Sequence, residues 1–335
     1  MLIREVQDVE KNAFNSLVLH PLQSWEWGEF REKMGVGVLR FGEFKNSTLR
    51  NCFQLTIHPI PHTPYTVGYL PRSPFPNHQI LKALKKIGQE KNCLFIKIEP
   101  DVLQDTKDKL PGESWLLPGK PILPVNTFLI NLSLSEGELL KRMHEKTRYN
   151  IKIAQKHGVE IKERDDSQSL EIFLKFLQQT QKRQGFYTHP SEYFRQQWQI
   201  LKPANMVYLL LAFYKDTPIA SVLLLRFRDK LYYTYGGSSE LYREKMPNHL
   251  LHWEAIQLGK KLGCKIYDFW GAYLEKPESS DPWYGLFRFK AGFGGEFVSY
   301  VGAFDLILNP FLYRVYGFAD NLRWKFLRAK ARLPI

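Results

Sequence analysis

The chain has 335 residues, 44% of them hydrophobic and 24% charged. That is the composition of a folded globular protein with room for two domains, and it excludes wholesale disorder. Lys plus Arg number 47 against 34 Asp plus Glu, a formal charge of +13, which points to an acidic partner: nucleic acid, nucleotide phosphate or an anionic membrane face.

Cys52, Cys93 and Cys264 form no C-x-x-C pair. They cannot build a disulfide framework and read as small buried hydrophobes in a reducing compartment. MLIREVQDVEKNAF has no apolar signal core, and no apolar run is long enough to span a bilayer. The expectation is a cytoplasmic protein.

In chain order, Ile80, Leu81, Leu84 and Ile87 have helical spacing, with Lys82, Lys85 and Lys86 on the wet side and Asn77 as N-cap. Leu94–Ile98 follows as an alternating strand. Asp101–Pro124 is rich in Pro and Gly and reads as a loop or interdomain segment. Lys141–Arg164 carries eight basic residues against three acids and is expected to be helical, a basic stripe. Ser167–Arg183 is a helix. Met206–Tyr214, Ala220–Phe227 and Leu231–Tyr235 are β-rich, joined by turns at Lys215–Pro218 and Arg228–Lys230, an antiparallel meander. Leu250–Lys261 is a helix and Lys265–Phe269 a strand. The last helix, from Phe311 to about Ala329, is apolar at Leu312, Val315, Tyr316, Ala319, Leu322 and Phe326. Arg314–Arg332 holds six basic residues against Asp320.

A short duplication runs through this pattern. Pro76-Asn77-His78 recurs as Pro247-Asn248-His249, and Gly88 and Cys93 recur as Gly259 and Cys264, all at an offset of 171. One helix–strand unit used twice predicts two related α/β halves. Meander, helix, strand is also the order of the GNAT acyltransferase fold. In that fold the acyl-CoA pyrophosphate rests on a glycine-rich loop at a helix N-terminus. The matching stretch here, Arg243–His249, has no glycine, and Pro247 removes an N–H. That argues against acyl-CoA as donor. His58 and His62 are separated by prolines, and His249 and His252 have no carboxylate or Cys signature beside them, so packing or surface roles are expected and no metal site. No Walker loop, G-x-G-x-x-G or G-x-S-x-G is present, so classical ATP use, dinucleotide use and serine hydrolysis have no support.

Seven segments, taken in order, carry a resemblance: Gln23–Arg31 (QSWEWGEFR), Tyr69–Pro74, Lys146–Ile151, Arg183–Phe186, Tyr233–Ser238 (YTYGGS), Tyr267–Gly271 and Leu286–Gly295 (LFRFKAGFGG). Together they resemble the Fem family, the FemABX peptidyltransferases that add amino acids from aminoacyl-tRNA to the peptidoglycan stem peptide. The F-K-x-x-F-G-G run, followed by Tyr300-Val301-Gly302 and Asp305, is the most specific part. The resemblance covers nearly the whole chain and implies an α/β (α+β) fold of two tandem GNAT-like subdomains with mixed sheets. Residues 1–135 with 306–335 would form the first, its terminal helix returning to it, and 136–305 the second. No heptad-bearing insertion is visible, so the compact type without a long coiled-coil arm is expected.

The resemblance also implies roles. Lys290, beside Phe289, matches a family lysine at the active centre, contacting the tRNA end or the developing charge. Its own setting agrees, since the glycines of Ala291–Gly295 allow close backbone approach and the aromatics limit water. Arg183 matches an arginine that grips acceptor phosphates, and a planar fork suits a diphosphate. Arg31 is the nearest cation to a family lysine serving the same phosphates. Tyr69 and Arg72 match positions lining the acceptor groove. Tyr233 and Tyr235, at i and i+2 of a strand, are expected on one face, for core packing or substrate contact. Asp268, after a buried-looking strand, is a candidate proton acceptor or a capping or Arg-paired carboxylate; proton removal by the substrate itself is equally compatible. Lys146, Arg148 and Lys152 are candidate contacts to tRNA phosphates, the alternative being a solvated helix face.

An aminoacyl ester is already activated, so its attack by an amine requires neither ATP nor a metal. It does generate an oxyanion, which a fixed cation would stabilise. The expected function is transfer of an amino acid from aminoacyl-tRNA to the stem-peptide amine of UDP-MurNAc-pentapeptide or lipid II, without a cofactor. A monomer is expected, with contact between the basic terminal helix and an anionic membrane left open. The alternatives are a GNAT-fold N-acyltransferase with another donor and acceptor, or a non-catalytic protein that binds tRNA or cell-wall precursor.

Overall fold

A computed structural model describes residues 2–105, 116–272 and 278–332, with the backbone alone at 321 and 324–332. The chain divides into two compact units, Met1–Leu123 with Tyr300–Ile335, and Pro124–Ser299. The first runs β1 (Leu2–Glu5), α1 (Lys11–Leu17), α2 (Trp25–Lys33), β2 (Gly37–Lys45), β3 (Thr48–Pro59), β4 (Thr66–Pro71), α3 (His78–Glu90), β5 (Cys93–Glu99) and β6 (Leu116–Gly119). The second runs β7 (Asn126–Asn131), α4 (Glu136–Arg142), α5 (Glu145–Lys156), β8 (Glu160–Arg164), α6 (Ser167–Gln184), α7 (Ser191–Leu201), β9 (Val207–Tyr214), β10 (Thr217–Phe227), β11 (Lys230–Ser238), α8 (Pro247–Lys261), β12 (Ile266–Asp268), α9 (Tyr284–Ala291) and β13 (Glu296–Ser299). β14 (Ala303–Ile307) and α10 (Pro310–Arg332) complete the first unit.

Each unit has one mixed sheet, in the orders β1-β2-β3-β4-β5-β14-β6 and β13-β7-β12-β11-β10-β9-β8. The parallel pairs are β4/β5 and β11/β12, and the helices that cross over between them are the two copies of the repeated segment. A parallel pair needs such a crossover, so the duplication marks the same step in both sheets. Asn77 caps α3 as expected, its Oδ1 accepting from the Ile80 N–H at 2.9 Å. The repeated glycines mark close packing against the sheets. A Cβ on Gly88 would lie 2.4 Å from Leu308, and one on Gly259 would lie 2.8 Å from Leu132. The borders expected from sequence fall after residues 135 and 305; β7 pairs within the second sheet and β14 within the first.

The first core gathers Leu55, Leu70, Leu81, Leu84, Ile96 and Leu306, and the second Phe128, Leu224, Leu251, Ile256, Tyr267 and Phe269. β5 is buried along its whole length despite its alternating sequence. Lys97 is tolerated there because its Nζ meets Asp305 Oδ1, opposite it on β14, at 2.6 Å. The three cysteines are free and buried.

Three expectations change. The segment Asp101–Pro124 contains β6, whose Pro118 is accommodated because the strand lies at the sheet edge. The basic run Lys141–Arg164 is not helical throughout. It forms α4, α5 and then β8, where Lys162 and Arg164 lie over the Phe213 ring. The last helix docks through Tyr313 and Tyr316, whose rings meet Phe95 at 5.1 and 5.4 Å. Val315 and Leu322, placed on its docked face by periodicity, are exposed. Phe326, Trp324, Lys325, Arg328, Lys330 and Arg332 lie outside the described side chains.

Candidate active site

The second unit buries a lysine. Lys290 sits in the last turn of α9 and is 5% exposed. Its Nζ donates to the carbonyl oxygens of Phe269 at 2.9 Å and Gly271 at 2.6 Å, and lies 5.3 Å from the centre of the Tyr233 ring. An ammonium has three N–H donors, so two are spent on carbonyls. Burial pushes the lysine pKa down to about 7, and the Asp268 carboxylate nearby offsets part of that fall.

The two carbonyls are aimed by a specific turn at the end of β12. Asp268 Oδ1 accepts from the Trp270 N–H at 2.8 Å and from Thr127 Oγ1 at 2.6 Å. Trp270 between them is held at φ 65°, in the left-handed region. That conformation costs a large side chain roughly 1–2 kcal/mol and turns both flanking carbonyls toward Lys290. The Asp268 oxygen thus anchors the turn.

Aromatic side chains close the surroundings. Phe289 lies 5.0 Å from His249, 5.2 Å from His252 and 5.4 Å from Phe293, ring centre to ring centre. His252 is fully buried, shares a 2.8 Å hydrogen bond with the Tyr267 hydroxyl, and is held well below its usual pKa by burial and by Lys290. It is neutral at pH 7. His249, half-buried and hydrogen-bonded to Asn150 at 3.2 Å, is likewise pushed down to about 4 by burial and Lys146.

The glycines of the Lys290 segment are structural requirements. Gly294 has φ 75°, and a Cβ there would lie 2.4 Å from the Arg142 carbonyl oxygen. The Gly292 carbonyl accepts from the His144 N–H at 2.9 Å. The segment after α9 is therefore seated on the junction between α4 and α5.

Tyr233 and Tyr235 do not share a face. β10 and β11 shift register at Thr234, where Leu223 faces Tyr235 and Leu224 faces Tyr233. This bulge restores one residue of offset. Tyr233 packs on His252 at 4.4 Å beside Lys290, whereas Tyr235 packs on Phe194 of α7 at 4.9 Å. Arg183, at the end of α6, donates to Ser238 O, Ser238 Oγ and Thr180 Oγ1, each at 3.3 Å. It has no carboxylate partner among the described residues.

In the basic stripe, Lys146 and Lys152 are exposed, but Arg148 is half-buried. Its guanidinium donates to the Met143 carbonyl and, at 3.3 Å, to Leu140 O. It closes the C-terminus of α4 and is taken up internally.

The first unit brings together Arg31, Tyr69 and Arg72. Tyr69 OH donates to Glu99 Oε2 at 2.5 Å; burial and Glu99 raise its pKa well above normal, against the opposing pull of Arg72 and Arg31. The buried Glu99 also accepts from the N–H groups of Ile122 and Leu123. Arg72, at φ 47°, lies over the Tyr300 ring at 3.9 Å. His58 is pushed down to about 4 by burial and by Arg31. No group of three or more His, Cys, Asp or Glu that could hold a metal is found among the described residues.

Compared with known proteins, residues 6–113, 120–215 and 209–321 match the FemAB family. The chain belongs to the FemAB family. Similar relatives include the lipid II:glycine glycyltransferases of Staphylococcus epidermidis, 23% identical over 93% of each chain, and of Staphylococcus aureus, 24% identical over 98% of this chain and 97% of that one. Among solved structures, a crystal structure of FemX matches with TM-score 0.82 and 22% identity, covering 94% of this chain and 99% of that one. A tandem GNAT protein from the clavulanic acid biosynthesis pathway matches with TM-score 0.55 and 9% identity, covering 92% and 99%. The two sheets of this FemAB member are thus tandem GNAT-like. The start of α8 also lacks the glycine-rich turn of an acyl-CoA cradle: it opens on Met246 at φ 55° and Pro247, with no side-chain cap.

Sequence reasoning did not single out several residues that surround Lys290 in this FemAB protein. Thr127 and Trp270 act through a turn whose geometry has no periodic signature. His252 packs as its i, i+3 spacing with His249 leads us to expect, but its hydrogen bond to Tyr267 and its proximity to Lys290 have no sequence sign. In the first unit, Glu99, which fixes Tyr69, ends a strand and carried no signal of its own.

Proposed function

We propose that this FemAB protein transfers an amino acid from an aminoacyl-tRNA to the stem-peptide amine of a lipid-linked peptidoglycan precursor. The observation that carries the reading is the buried ammonium of Lys290, fixed on two carbonyls with its third N–H left for a substrate oxygen. Family membership and the names of the staphylococcal relatives support the acceptor.

The acceptor amine, in its neutral form, attacks the ester carbonyl carbon. The C–N bond forms as the carbonyl electrons move onto oxygen. That oxyanion is held by Lys290, in a setting from which Phe289, Phe293, Phe269 and Tyr233 exclude water. Collapse breaks the ester C–O bond, and the proton lost by the amine ends on the released ribose hydroxyl. Asp268 positions the Phe269–Gly271 carbonyls through its Oδ1, which accepts from Thr127 and Trp270. Arg183 binds the acceptor, and Lys146 and Lys152 meet tRNA phosphates. The protein works at the inner face of the membrane.

The deciding experiment is a mass-spectrometric assay of purified protein with mixed aminoacyl-tRNAs, glycyl-tRNA first among them, offered lipid-linked and UDP-linked acceptors separately. The expected product is the lipid-linked precursor carrying one added residue, dependent on charged tRNA. Turnover of acetyl-CoA without tRNA would replace this reading, as would no product with any charged tRNA.

A further inference from the structure

α10 has two apolar sides. One is docked on the first sheet through Tyr313 and Tyr316, and Tyr313 OH donates to Asp305 Oδ2 at 2.8 Å. The other is uncovered. Phe311 is 74% exposed, Val315 51%, Phe318 75% and Leu322 60%. Steps of four, three and four residues put these side chains on one face of the helix. Arg314 and Arg323 are exposed as well, and the sequence of the same helix goes on through Lys325, Arg328, Lys330 and Arg332. Its one acid, Asp320, acts on Tyr316 of the docked side.

Four neighbouring large apolar side chains at half exposure or more form a contiguous patch that water disfavours, which marks an interaction surface. No helix among the described residues is long and apolar enough to cross a membrane, so the stripe can lie on a bilayer but not span it. A second copy of the chain is a poor occupant, because a two-fold contact would set one cluster of arginines and lysines against another. An anionic lipid surface suits both features, with apolar side chains entering at the acyl boundary and basic ones meeting lipid phosphates.

We propose that the Phe311–Val315–Phe318–Leu322 face of α10 is a membrane-docking surface for anionic bilayers. The inference deepens the lipid-linked acceptor proposed above by assigning the part of the chain that reaches it, but the binding itself is measurable without any transfer reaction.

The test is co-sedimentation of the full chain with phosphatidylcholine vesicles, with and without about a third phosphatidylglycerol. Wild type should bind the anionic vesicles and bind the neutral ones weakly. The double variant Phe318→Ser, Leu322→Ser, both exposed sites, should keep its melting temperature and lose roughly tenfold or more in partitioning. It should also slow transfer to a vesicle-embedded acceptor. Wild type remaining in the supernatant overturns the proposal. So does equal vesicle binding by the variant, or a wild-type dimer in sedimentation velocity that the variant abolishes. Stripe-dependent vesicle binding with no transfer to any acceptor would leave the docking surface standing and remove the proposed reaction.

Discussion

Lys290 Nζ lies 2.6 Å from the carbonyl oxygen of Gly271. Carbonyl dipoles favour the charged lysine, whereas burial disfavours it, and burial dominates. The result is a cation held at a fixed point, close to its neutralisation point at physiological pH.

Lys290→Met keeps most of the buried volume and removes the donor. Transfer should fall about 10²–10³-fold in kcat, the range for loss of one oxyanion donor, with acceptor binding retained and stability lowered by about 1–3 kcal/mol for the Gly271 carbonyl left without this donor. Transfer within threefold of wild type, by steady-state kinetics, would remove Lys290 from the chemistry.

The pH profile separates a cationic Lys290 from a basic one. An alkyl acceptor amine has a pKa of about 10.4, so its neutral fraction rises tenfold per pH unit through neutrality. If Lys290 acts protonated, kcat/KM rises with that slope below its pKa of about 7 and then levels, because the charged lysine declines as the neutral amine grows. If it acts as a neutral base, the slope below pH 7 is twice as steep and no levelling appears at 7. Initial rates between pH 5.5 and 8.5 distinguish the two; the levelling is expected.

Some of this was readable in advance. The crossovers β4–α3–β5 and β11–α8–β12 showed through the repeat because a helical period, a cap and a close-packing glycine are local signals. The F-K-x-x-F-G-G run drew attention to Lys290 through its family resemblance, and its glycine at 294 is required because a side chain there would meet the Arg142 carbonyl. Other features depend on non-local geometry. The bulge at Thr234, which separates Tyr233 from Tyr235, exists only in the pairing with β10. The left-handed turn at Trp270 is held by an aspartate and a threonine from two strands. Periodicity could not orient α10 because aromatic or aliphatic residues line both of its sides.

Arg183→Ala should act on acceptor binding. Its guanidinium is held half-buried on Ser238 and Thr180, with no carboxylate to neutralise it among the described residues. Loss of a charged hydrogen-bond donor to a diphosphate is worth about 1.5–3 kcal/mol, so the acceptor KM should rise about tenfold or more with kcat little changed. An unaltered KM would place Arg183 outside the acceptor site.

Asp305→Ala should be among the most destabilising single changes. It strips Lys97 of its 2.6 Å partner at a site where both side chains are buried, and it also frees Tyr313 of α10. Breaking a buried pair from one side costs about 3–5 kcal/mol because a charge is left uncompensated. Lys97→Met, Asp305→Ala together should recover part of that loss, and Tyr313→Phe alone should cost about 1 kcal/mol. Urea midpoints test all three; additive losses in the double variant would show that the pair is not coupled.

Two basic residues one turn apart on α5 should behave differently. Lys152 is exposed, and if it meets a tRNA phosphate then Lys152→Ala weakens tRNA binding and lowers the slope of log K against log salt by about 0.7–0.9. Arg148 directs its Nη1 to the Met143 and Leu140 carbonyls, so Arg148→Ala should leave that slope unchanged and instead lower the unfolding free energy by about 1–3 kcal/mol for the Met143 carbonyl left without this donor. Filter-binding titrations across a salt series, paired with urea unfolding, separate the two effects. A fall in salt slope for Arg148→Ala at full stability would show the guanidinium leaving α4 to reach a phosphate.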